Sequence, residues 1–246
     1  MSPALTFFEH LDELRKRLIV SFAAVLISMA GAFFYSDRLL EILVKPILAG
    51  ANEVYFFSPA EAFVVKLKIA FLTGLVVASP VVMSQLWLFI SPALYEREKK
   101  LMVPVIFLTS FLFLAGVLFC FFLVMPSALN FLMGMQTAFL KPMISVSEYV
   151  GFLSMMLLAF GAAFNLPVFI MTLVFLGLLD SKTLNRYQRH AVILIFIAAA
   201  VMTPGPDIVS QLLLALPLVL LFELSVMGAW VIERLRRNNV ITQRLS

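Results

Sequence analysis

From Leu101 to Leu140 the chain runs for 40 residues without a charged side chain, and from Ile69 to Tyr95 for another 27. Runs this long constrain the fold more than any other feature. A backbone surrounded by hydrocarbon has no water to bond its N–H and C=O groups, so such a segment folds as a helix or joins a closed barrel. About 20 apolar residues, rising 1.5 Å each, cross a hydrocarbon core near 30 Å thick. With 63% hydrophobic residues, against about 45–50% in soluble domains, the chain reads as an all-α polytopic membrane protein.

Six spans account for the pattern, in a single membrane domain over residues 1–246. They are expected near 18–36, 62–86, 101–125, 148–178, 191–204 and 209–232. Leu18–Ser36 is uncharged for 19 residues and is expected to be a retained first span rather than a cleaved signal. Ahead of it, Glu9, Asp12 and Glu13 are too acidic for a signal's leading segment. Residues 6–17 are expected to form a separate amphipathic helix along the membrane surface, with Leu11, Leu14 and Leu18 at helical spacing. Residues 37–61 read as a mixed external loop. Ser58-Pro-Ala-Glu61 and Ser145-Val-Ser-Glu148 fit capping boxes that open the second and fourth spans. Pro126 ends the third span near Met125, with a short apolar helix to follow in an external loop. Residues 180–190 read as a polar connector, which leaves the fifth span short.

Six crossings put both termini on one side. The amino-terminal segment, the 96–100 loop, the 181–190 loop and the tail together hold 13 of the 18 Lys and Arg residues. The positive-inside rule places that side, and both termini with it, in the cytoplasm. The basic residues thus orient the chain in a bilayer and do not call for nucleic acid.

No nucleotide-binding, metalloprotease or serine-hydrolase signature is present. Neither of the two histidines can pair with a buried acid, so an enzyme is not expected. The lone Cys120 sits in an apolar run, and no metal or cofactor is expected. Ionisable or polar groups inside spans by default mark function. Glu223 lies midway along the sixth span and Gln211 nearer its outer end. Together they are either a patch for a partner helix or hydrogen bonds that fix packing. Asn165, before Leu166-Pro167, is positioned to meet a backbone carbonyl that the proline frees. Asp207 is placed to cap the sixth helix. A secondary transporter of a small solute is the alternative on these residues, although no repeat relates the two halves.

The densest charge lies between the second and third spans. Every residue from Glu96 to Lys100 is ionisable, and Trp87 and Phe89 precede the run. A guanidinium forks onto a carboxylate in a way an ammonium does not. Glu96 and Glu98 therefore suit a peptide with adjacent arginines, and Phe89 and Trp87 offer an apolar surface for its hydrophobic part.

These residues also resemble a known family. His10-Leu-Asp-Glu-Leu-Arg-Lys-Arg17, Ser79-Pro80-Val81, Gln85-x-Trp87 and Phe89-Ile-Ser-Pro-Ala-Leu-Tyr-Glu-Arg-Glu-Lys99 are similar to the TatC family, the multi-spanning core of the twin-arginine translocase. Phe160-Gly-x-x-Phe164-x-x-Pro167, Thr203-Pro-Gly-Pro-Asp207, Ser210-Gln211, Ala215-x-Pro217 and Phe222-Glu223 extend the likeness in order over roughly residues 8–230. The resemblance implies a glove-like concave bundle in the bacterial inner membrane that binds twin-arginine signal peptides of folded cargo. It implies export driven by the proton-motive force, with TatA and TatB-type single-span partners and self-association in a receptor complex. By position it assigns peptide binding to Glu98 and Phe89, with Glu13 and Arg15 as functional amino-terminal positions and Pro46 in the first external loop. It also implies partner contacts on the fifth and sixth spans. The family usually carries glutamate where this chain has Asn165, which does not titrate.

Overall fold

In the computed structural model, the first 28 helical residues form one rod. Helix α1 runs from Phe7 to Phe34 without interruption. The expected surface helix and the expected first span are therefore one element, because no proline or glycine occurs from Phe7 to Ala30 to end the first and start the second. The structure describes residues 7–48, 53–90, 102–134, 143–175, 177, 179–202 and 208–245.

Ser36 and Asp37 start a second helix, α2 (Ser36–Leu48), where a loop was expected. It turns Val44 and Ile47 inward and carries Pro46 in its last turn. Helix α3 is Pro59–Ile90. α4 (Met102–Phe119) leads into a π-helical segment, Cys120–Val124, and then α5 (Met125–Met133). The Met125 N–H reaches back five residues to the Cys120 carbonyl. This wider turn makes room for the ring of Pro126, which in an α-helix would collide with the carbonyl four residues before it. The rod thus continues through the proline to Met133, past the point where the sequence suggested an end.

α6 (Val146–Phe164) and α7 (Leu166–Phe175) meet at Asn165. There the backbone N–H bonds the Ala162 carbonyl at 3.1 Å, and the side-chain amide donates to the Gly161 carbonyl at 3.3 Å. The amide thus meets the Gly161 carbonyl, whereas the carbonyl that Pro167 frees, four residues before it, is that of Ala163. α8 is Ser181–Met202 and α9 is Ile208–Leu245. The polar stretch expected as a connector forms the first turns of α8, since Lys182 to His190 contains no breaker.

The chain is all-α; among the described residues the sole β pairing is an isolated bridge, Tyr55 with Ser145. Among the described residues, five helical stretches are long and apolar enough to cross a membrane: Phe8–Phe34, Pro59–Ile90, Met102–Met133, Val146–Phe175 and Gln211–Val231. α8 is not among them because its first half is charged.

The chain divides into two compact units, Met1–Leu114 with Gln136–Ser154, and Ala115–Met135 with Met155–Ser246. In the first unit α1 packs along α3. A Cβ added to Gly74 would fall 2.6 Å from the Met29 backbone nitrogen, so only glycine lets these backbones meet. At the other end of the α3 seam, Glu61 takes bonds from two places. Its carboxylate accepts from the Phe57 N–H at 2.7 Å, the Ser145 hydroxyl at 2.5 Å and the Ser147 N–H at 3.3 Å. Lys68 donates to the Ser147 hydroxyl at 2.9 Å and its carbonyl at 3.2 Å. The Tyr149 hydroxyl donates to the Leu43 carbonyl at 2.7 Å, which ties α6 to α2. Ser145 also accepts from the Glu148 N–H at 3.3 Å. The box expected at Ser145 therefore closes half locally and half onto Glu61. In the second unit, Gly116 makes the equivalent close approach, where a Cβ would fall 2.5 Å from the Phe160 carbonyl oxygen.

Candidate functional site

The amino-terminal turns of α1 place Glu9, Asp12 and Glu13 within four residues of one another, with Lys16 and Arg17 in the next turn. These five side chains line a cleft of about 480 Å³. Glu13 and Arg17 stand four residues apart, the spacing at which helix neighbours meet, and pair at 3.2 Å. Arg17 also donates to the Gln85 side-chain oxygen of α3 at 3.2 Å. Its Nε is buried and has no partner among the described residues. A single guanidinium thus fixes α1 against α3 while leaving Glu9 and Asp12 exposed in the cleft.

Phe89 completes this end of the unit. It lies one residue before the end of α3, and its ring stacks on His10 of α1 at 4.6 Å between centroids and 26° between planes. The structure therefore brings Phe89 and Glu13 to the same pair of helix ends, with Arg15 exposed on α1. Glu96 and Glu98 lie outside the described residues, in the stretch that follows α3.

Trp87 does not belong to this surface. It is 3% exposed, and its indole N–H donates to the Thr109 hydroxyl of α4 at 3.1 Å. Its amphipathic ring suggested a membrane boundary or a peptide contact, but the packing partner that removes it from both lies 22 residues away in sequence. His10 and Gln85 were visible only as motif letters. The i,i+4 spacing of Glu13 and Arg17 was the one local signal of their contact.

In the second unit Gln211 and Glu223 are both engaged within the chain. Gln211 donates to the Phe196 carbonyl of α8 at 2.9 Å. Glu223 accepts from the Gln188 side-chain amide, and Glu233 accepts from the Ser181 hydroxyl and, at 3.2 Å, the Ser181 N–H. All four bonds join α8 to α9, as packing contacts would. Asp207 lies outside the described residues. Pro46 sits half-buried in α2. No group of metal-ligating side chains occurs among the described residues.

Comparison with known proteins decides the family. The family described as TatC: Sec-independent protein translocase protein (TatC) matches residues 9–217. The chain belongs to the TatC family. A Sec-independent protein translocase protein TatC of Desulforapulum autotrophicum is 40% identical over 92% of this chain and 84% of its own. Its counterpart from Carboxydothermus hydrogenoformans is 39% identical over 93% of this chain and 94% of its own. Among solved structures, a crystal structure of the twin-arginine translocase receptor TatC superposes with a TM-score of 0.83 at 36% identity. That match covers 91% of this chain and 99% of the other. As a TatC protein the chain is a multi-span membrane component of a protein translocase, not an enzyme.

Proposed function

We propose that this TatC protein receives twin-arginine signal peptides of folded precursors at the surface formed by the first turns of α1, the end of α3 and the loop that follows. One observation carries the proposal: Phe89, stacked on His10, stands beside an acidic cleft at the point where the chain departs toward Glu96 and Glu98. Glu98 takes one guanidinium bidentately, with Glu96 as its neighbour, and the carboxylates of α1 attract the second. Glu13 is held by Arg17, so its part is to orient that attraction, with Arg15 opposing a misplaced peptide. Phe89 meets the apolar residues that accompany the arginines.

The protein acts in the bacterial inner membrane as a single domain of six crossings. The apolar half of α8 serves as the short fifth, and both termini are cytoplasmic by the distribution of Lys and Arg. TatA and TatB-type single-span proteins dock on the fifth and sixth spans, near Gln211, Glu223 and Asp207, in a receptor complex of several copies. Pro46 acts at the opposite face. Export draws on the proton-motive force, and Asn165, being neutral, orders the turn between α6 and α7 and does not relay protons. No observation favours movement of a small solute, and nothing in the site calls for a cofactor.

The test is photo-crosslinking from residues 89–100 to a peptide bearing an Arg-Arg pair, in membranes containing the full chain. Glu98→Ala abolishes the cross-link and leaves insertion unchanged; an undiminished cross-link overturns the assignment. A charge-swap series at Glu96 and Glu98 separates the two.

A further inference from the structure

The groove between α8 and α9 has a composition that arginine-pair recognition does not use. It is a cavity of about 830 Å³, within the range of small-molecule sites, lined from α8 by Lys182 and its polar neighbours and from α9 by Glu223, Met227, Trp230, Glu233 and Arg234 among others. Its depth in the bilayer follows from α9 itself. The apolar window of that helix ends at Val231, and Glu233 and Arg234 follow immediately. The groove thus straddles the boundary between hydrocarbon and headgroups, with Trp230 at the level where indole rings settle.

The charges inside the groove are not equivalent. Both carboxylates are occupied: Glu233 by Ser181 and Glu223 by Gln188. Both cations lack an ion-pair partner among the described residues. Lys182 is exposed, and the Arg234 guanidinium lies 5.2 Å above the Trp230 ring, a contact that orients it without neutralising it. Below the cations, Met227, Trp230 and Val231 present an exposed apolar wall. Two free cations above an apolar wall, at headgroup depth, fit a molecule with a phosphate at one end and hydrocarbon at the other.

We propose that this groove binds an anionic phospholipid from the leaflet into which α9 emerges, with its phosphate between Lys182 and Arg234 and the top of an acyl chain along Met227 and Val231. Basic pockets between spans hold anionic headgroups in this way. The inference rests on the chain spanning a bilayer and not on signal-peptide binding, and it places any single-span partner near Glu223 beside this groove, not inside it.

The test uses the full chain purified in detergent and re-supplied with phosphatidylglycerol or with phosphatidylcholine. Bound lipid is counted by native mass spectrometry. Phosphatidylglycerol is retained in preference to phosphatidylcholine, and Lys182→Gln with Arg234→Gln lowers its retention by about tenfold or more. Arg186→Gln with Arg189→Gln, exposed cations outside the groove, leaves it unchanged. Met227→Trp fills the apolar wall, keeps every charge and also lowers retention, which covers the case in which the double variant does not fold. Equal retention of the two lipids, equal loss in the two double variants, or displacement by inorganic phosphate alone overturns the proposal. So does capture of a small polypeptide rather than lipid by a photoreactive group at Val231 in native membranes.

Discussion

Glu61 and Glu223 are each a carboxylate on a long apolar helix, and their surroundings differ in kind. Around Glu61 the polar groups are spent within the same unit: two backbone N–H groups and one hydroxyl on its carboxylate and, two turns on, the Lys68 ammonium on Ser147. Around Glu223 the carboxylates are bonded, while Lys182 and Arg234 have no ion-pair partner among the described residues. A cluster that satisfies itself closes the structure, since its members have no further capacity to bond. A cluster that leaves Lys182 and Arg234 unmatched remains able to recognise something else. The difference separates an architectural junction from a receptive groove, although both are built from Glu, Ser and Lys on apolar helices.

That contrast is most severely tested where the first unit is tightest. Gly74→Leu should force the α1 and α3 backbones apart, costing about 3 kcal/mol or more, read as loss of folded protein in detergent thermal unfolding. Tolerance of leucine there would mean that the seam is not closed. Next in size is Glu61→Ala, expected to lower the melting temperature by a few degrees. Ser145→Ala should lower it too, and the double variant should lose less than the two losses added. Strict additivity would show that the junction is not one cooperative unit. Trp87→Phe removes a buried hydrogen bond to Thr109 and should cost about 1 kcal/mol, measured by the same unfolding. The smallest effect is expected at the groove: Gln188→Ala should cost about 0.5 kcal/mol, because water and lipid headgroups replace the lost donor. A loss as large as that of Gly74→Leu would make the groove architectural as well.

The helical class was legible from uncharged runs alone, because a bilayer allows few other structures. Element ends were less so. Nothing from Phe7 to Ala30 breaks a helix, but the change from charged to apolar residues at Leu18 imitates a boundary. Ser36-Asp37 is a helix-start signal that the charged residues after it obscured. Pro126 signals an end, which the π turn before it cancels. In the candidate site, the Glu13–Arg17 pair follows from spacing within one helix. The contacts of Arg17 with Gln85, His10 with Phe89 and Trp87 with Thr109 join different helices and leave no periodic trace. Glu61 shows the same limit: Ser58-Pro-Ala-Glu61 announces a cap, but its Ser145 partner lies 84 residues away.

The unbroken course of α1 has a mechanical consequence. Its charged turns at Glu13 and its close approach to Gly74 at Met29 lie on one rod, about 24 Å apart at 1.5 Å per residue. With no proline between them there is no hinge to absorb a displacement. Gly74 seats the rod at Met29 as a bearing seats a shaft. A displacement of the acidic turns is therefore carried along the whole rod to Met29, and any motion of the acidic end against α3 has to break the Arg17–Gln85 bond first.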